Sequence, residues 1–164
     1  MNHLKQIEQL RNALDAENII AECFGHLAGL IKNGTIRRNF ICFAEAARNN
    51  QHLLKDRLAE LDVKEFVEPD KCTFCKINAE SFSLSGALNL GLEANAAAIK
   101  FYKNLLTVSK KEEDKKLFKS LIREKNKHQV FLKKEKKFLR REEDKFNLID
   151  SYCISEVISK LWSL

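Results

Sequence analysis

The chain reads as an all-α protein: an antiparallel four-helix bundle built from two helical hairpins and one long crossover, with a fifth helix at the C-terminus. Three observations predict this. Five Gly and one Pro in 164 residues leave little punctuation, and a Leu-, Lys-, Glu- and Ala-rich composition suits helices with short connections. Apolar positions recur at steps of three and four, clearest at Phe118, Leu121, Lys125, His128, Leu132 and Leu139, with Glu135 the one missed step. That is the inward seam of an amphipathic helix. The breaks are unequal, too. Two are tight, at Asn33-Gly34 and Ser109, and one is long, at residues 62–77.

The elements follow in order. Helix one covers about residues 3–31, starting at His3 or Ile7 with a break expected near Asp15, and Asn33-Gly34 reads as its stop and tight turn. Helix two starts after Thr35, a suitable N-cap, and completes hairpin one near Leu61. The crossover 62–77 holds Pro69 and the pair Cys72 and Cys75. Helix three runs over about 79–108 and ends at Ser109. Helix four begins near Lys111, with Glu112, Glu113 and Asp114 in the first turn where the helix dipole favours anions, and reaches about Arg141. The C-terminal helix, about 144–161, carries Phe146, Ile149, Ile154, Val157, Ile158 and Leu161 and is expected to pack on the bundle. A chain of this length makes a single domain with one core.

Charge and cysteine usage narrow the functional classes. The net charge is +6, and residues 103–145 hold 16 Lys and Arg against 8 Asp and Glu, a local +8 that leaves about −2 elsewhere. A basic stretch can attract nucleic acid or an anionic membrane. Glu112, Glu113, Asp114, Glu124, Glu135, Glu142, Glu143 and Asp144 are interleaved with it, which weighs against nucleic acid and for a solvated helix face. No apolar run reaches the roughly 18 residues of a membrane span, and residues 1–6 contain no apolar signal core. The chain is therefore expected to be cytoplasmic. Its five cysteines read as reduced thiols or metal ligands rather than a disulfide framework.

The chemistry-bearing residues point to the bundle interior. A carboxylate-bridged di-metal centre takes one Glu from each of two helices and a Glu-x-x-His pair from each of the other two. The i, i+3 spacing puts both ligands of a pair on one inward face. Here the hairpins repeat a layout. Glu22 and then Asn49-Asn50-Gln51-His52 in the first answer Glu93 and then Lys125-Asn126-Lys127-His128 in the second.

Ala98-Ile99-Lys100-Phe101-Tyr102, followed by Leu117-Phe118, Leu121-Ile122 and His128, resembles the rubrerythrin-like branch of the ferritin-like superfamily. That branch carries the cadence A-I-x-F-Y … L-F-x-x-L-A-x-E-E-x-x-H, and the resemblance covers about residues 15–140. It implies a ferritin-like bundle with a degenerate di-metal site at Glu22, Asn49, His52, Asn95, Lys125 and His128. The histidines stay where ligands fall, but Asn49 and Lys125 replace their paired glutamates. Asn95 holds the helix-three position, and Glu93 lies about 200° around the helix from it. A single carboxylate cannot neutralise two divalent ions, so di-iron chemistry is expected to be lost.

Bland readings compete at each position. His128 reads either as a hydrogen-bonded core histidine or as a ligand, the first favoured. Asn49 and His52 lie off the stripe through Phe40, Phe43, Ala47 and Leu54, which makes an exposed position an alternative for both. For Lys125 a buried ion pair with Glu22 or Glu93 is favoured over extension of the side chain to solvent. Cys72 and Cys75 can chelate zinc or iron, complete a four-cysteine site across a dimer, bind metal with a histidine, act in thiol redox, or be plain loop cysteines. Cys23 and Cys42 read as small core residues.

The function expected from this reading is a rubrerythrin-like or ferritin-like protein without a working di-iron centre, binding a single metal ion or a protein partner, and more a binding protein than an enzyme. Iron and zinc are the candidate cofactors, and a homodimer is the expected assembly. A metal-dependent oxidative-stress protein with remodelled ligands is the enzymatic alternative. A basic helical module for nucleic acid or another acidic surface is the third.

Overall fold

The computed structural model describes residues 3–63, 65 and 82–139. They form four α-helices: α1, His3–Leu30; α2, Gly34–Ala59; α3, Leu84–Val108; and α4, Glu112–Leu139. Among these residues there is no strand, and no helix is long and apolar enough to cross a membrane. The C-terminal helix expected at 144–161 and the pair Cys72 and Cys75 lie outside the described residues.

Side-chain chemistry sets the helix ends. α1 is continuous through Asp15, so the expected break there does not occur. Asn33 caps α2, its Oδ1 accepting from the Ile36 backbone N–H at 3.0 Å. Thr35, taken from sequence as that cap, lies inside the helix, and Gly34 is its first residue with no positive φ. An Asn at this position satisfies one of the four N–H groups that a helix start leaves open. At the other end of α2, the Val63 N–H returns to the Leu58 carbonyl at 3.1 Å and the Asp62 N–H to Ala59 at 3.0 Å. Asp62 supplies the left-handed residue, φ 62°, and Val63 and Leu58 are both buried. This is the Schellman pattern with its apolar contact. Ser83 caps α3 through the Gly86 N–H at 3.0 Å. Ser109 ends α3, donating from backbone N–H and hydroxyl to the Leu105 carbonyl.

α1 packs chiefly on α2 and α3 on α4, and the two hairpins meet through α1 against α3 and α2 against α4. The core gathers Leu10, Ile20, Phe24, Phe40, Leu54, Tyr102 and Phe118, each fully or almost fully buried. Phe24 stands edge-on to Phe40 and Phe43, both centroids 5.3 Å away, an arrangement aromatic quadrupoles favour. Gly91 of α3 packs tightly against both α1 and α4. A Cβ placed there would lie 3.1 Å from the Phe24 ring and 3.3 Å from Leu132.

Candidate functional site

Each helix sends polar groups into the centre of this apolar bundle. On α1 the buried stripe through Leu10, Ala13, Ile20, Phe24 and Leu27 includes Glu17, which has no exposed surface. On α2 the stripe through Phe43, Ala47 and Leu54 includes Asn50. α3 contributes Asn95 and Tyr102, and α4 contributes Lys125 and His128, all buried.

Glu17, Asn50, Tyr102 and Lys125, joined by Glu124, form one hydrogen-bonded network. Lys125 Nζ donates to Glu17 Oε2 at 2.8 Å, and both side chains are 0% exposed. Tyr102 donates its hydroxyl to Glu17 Oε1 at 2.5 Å. Asn50 Nδ2 lies 3.2 Å from Glu17 Oε2 and 2.8 Å from Glu124 Oε1. Glu124, half-buried on the flank of α4, is also 3.3 Å from Lys125 Nζ. Both carboxylate oxygens of Glu17 are thus engaged, by an ammonium, an amide and a phenol. Burial and then the adjacent Glu17 carboxylate hold the Tyr102 phenol well above its usual pKa, so it remains a donor.

His128 borders this network differently. Its ring packs against Phe43 with centroids 4.0 Å apart and the planes tilted by 32°. Burial, and secondarily the Lys125 ammonium, lower its pKa to about 4, so the imidazole is neutral at pH 7. Neither His128 Nδ1 nor the Asn95 carboxamide has a hydrogen-bond partner among the described residues.

Only half of the sequence-derived set faces inward. Asn95, Lys125 and His128 are buried. Glu22 and Cys42 are exposed, contrary to the inward or core positions expected for them; Asn49 and His52 take the exposed alternative, and Glu93 is exposed too. The cause is helical phase. Glu22 lies about 140° around α1 from Glu17, and Asn49 about 100° around α2 from Asn50. The ion pair expected for Lys125 exists, but its partner is Glu17 rather than Glu22 or Glu93. Glu17, Asn50, Glu124 and the network role of Tyr102 were missed. The signal for the first two was present: the apolar stripes of α1 and α2, continued one step, land on them.

A di-metal centre does not fit these residues. An ammonium already neutralises the central carboxylate, and Asn50 and Asn95 supply uncharged amides where bridging needs anions. Among the described residues no three His, Cys, Asp or Glu are grouped so as to hold a metal ion.

A second polar cluster ties the other end of the bundle. Asp114, in the first turn of α4 and 1% exposed, accepts from Gln6 Nε2 of α1 and from Arg57 Nε of α2, each at 2.7 Å. It joins three helices.

No family model matches the chain, nor does any curated protein. Among solved structures it is similar to a hypothetical protein from Pyrococcus furiosus, with a TM-score of 0.71 and 23% identity, over 84% of this chain and 92% of that one. At that identity the likeness concerns the fold alone, an all-helical bundle.

Proposed function

We propose that the chain is a ferritin-like, rubrerythrin-like bundle in which an ion-pair network replaces the di-metal centre, and that it works by binding rather than by di-iron redox catalysis. The observation that carries this is the Lys125 ammonium, fully buried and bonded to Glu17. Bridging carboxylates in such bundles exist to neutralise two divalent ions. A lysine in that volume supplies positive charge within the protein chain itself, so the fold keeps its centre neutral without metal. The ligands proposed are a protein partner, including a second copy of the chain, or at most one metal ion.

Metal analysis of the purified protein is the deciding experiment. The expected result is no stoichiometric iron or manganese after growth in metal-supplemented medium. About two ions per chain, lost in His128→Ala, would overturn the reading. One zinc per chain or per two chains, lost in Cys72→Ser, would place metal at the crossover cysteines and leave the bundle centre metal-free. Sedimentation equilibrium tests the homodimer, which should run at twice the chain mass.

A further inference from the structure

The acidic residues of α4 are interleaved in sequence but sorted in space. Asp114 is buried against Gln6 and Arg57, Glu124 turns inward to Asn50 and Lys125, and Glu135 is half-buried. Glu112 and Glu113 stay at the first turn. Beyond them, from Lys116 to the end of α4, no exposed position is acidic. Lys116, Lys119, Arg123, Lys127, Lys134 and Lys137 are all exposed. At 100° per residue they fall within about 60° of one line along the helix, opposite the buried line through Phe118, Leu121, Lys125 and Leu132. The line is roughly 30 Å long at 1.5 Å per residue.

We propose that this outer face of α4 docks on the phosphate backbone of double-stranded nucleic acid, without reading sequence. Charge complementarity carries the argument: a single-signed row of side chains at steps of three and four, with one step of seven across Val130, faces a polyanion with a charge about every 1.7 Å of duplex axis. The row is mostly lysine, a point charge suited to phosphates rather than to bidentate recognition of bases. An anionic membrane fits less well. Interfacial helices bury an apolar face in lipid, and here that face is committed to the bundle core, leaving only Val130 and Phe138 exposed within the basic row. The proposal does not depend on the metal content of the bundle centre.

The test uses the full chain and a labelled 25-base-pair DNA duplex of arbitrary sequence, followed by fluorescence anisotropy as salt is raised. The expected result is micromolar or tighter binding at low salt, indifferent to sequence, with log affinity falling against log salt at a slope of about −3 to −5. The triple variant Lys119→Glu/Arg123→Glu/Lys127→Glu should lose at least tenfold in affinity and flatten the slope by roughly 3. The triple Gln variant, a milder change should reversal disturb folding, should move both in the same direction. A control of equal charge change elsewhere, Lys5→Glu/Lys32→Glu/Arg37→Glu, should bind nearly as wild type. No binding at low salt, an equal loss in the control, or binding to phosphatidylserine-containing vesicles but not to the duplex would each overturn the proposal.

Discussion

The carboxylate of Glu17 and the ammonium of Lys125 meet at 2.8 Å in the middle of the bundle, and neither side chain has any exposed surface. Two charges out of water are tolerated only when paired and further hydrogen-bonded. Tyr102 and Asn50 on the Glu17 side, and Glu124 on the Lys125 side, supply those extra bonds.

Breaking that pair should cost far more than removing it. Glu17→Gln leaves a buried lysine with only the half-buried Glu124 as counter-charge, and is expected to destabilise by about 3–5 kcal/mol. Glu17→Met/Lys125→Met removes both charges and should recover most of that loss. Urea unfolding of wild type, Glu17→Met, Lys125→Met and the double variant closes the cycle and measures the coupling directly. A double variant no more stable than Glu17→Gln would show that the pair is not the unit that matters.

His128 gives the fold an acid-sensitive element. Its pKa is lowered from 6.5 to about 4, so below pH 6.5 the unfolded chain takes up a proton that the folded chain refuses. The histidine's contribution is therefore complete above pH 6.5 and is lost as the pH falls towards 4, by on the order of 3 kcal/mol at most. Denaturant unfolding at pH 7 and pH 5 should show a steeper decline for wild type than for His128→Gln. Equal declines would mean that His128 is protonated in the folded state.

Gly91 leaves little room for a side chain. Phe24, which a Cβ would meet first, is held by the edge-on contacts of Phe40 and Phe43, so the ring has little freedom to yield. Gly91→Val adds three carbons at this tight contact of α3 with α1 and α4 and should destabilise by about 2–3 kcal/mol, exceeding any gain in helix propensity. Thermal unfolding would expose the error if Gly91→Val were as stable as wild type.

At the far end of the bundle, Asp114→Ala removes an acceptor from Gln6 and from Arg57 at once. The expected loss is roughly 2–3 kcal/mol. Arg57 also bonds Glu60 at the surface, so Glu60→Ala should change stability by under about 1 kcal/mol. Comparable losses from the two variants would mean that Asp114 does not act as the junction.

The helices were legible because apolar periodicity is a local property. The seam of Phe118, Leu121, Lys125, His128 and Leu132 appears in the structure as the buried face of α4. The same periodicity held the correct α1 and α2 residues, yet matching the spacing of glutamate and histidine to a ligand pattern drew attention to Glu22, Asn49 and His52, which point outward. Glu17 was hidden because an isolated acid on an apolar stripe is unremarkable until its cation, 108 positions away, is brought beside it. The start of α2 turned on a single side-chain bond from Asn33 that composition cannot distinguish from a turn. The sorting of acids on α4 is likewise invisible to a count of charges along the chain.

The central network also selects one alignment of the two hairpins. Leucine and alanine faces alone would tolerate sliding by a turn, since one apolar contact replaces another. Sliding α1 by four residues would instead set Ala13 or Ala21 against Lys125, two positions with nothing to accept a proton. The ammonium would then keep only the half-buried Glu124 as counter-charge, at a cost of about 3–5 kcal/mol. Glu17 and Lys125 therefore work as a key and its ward: whatever stability they contribute, they exclude the neighbouring wrong assemblies.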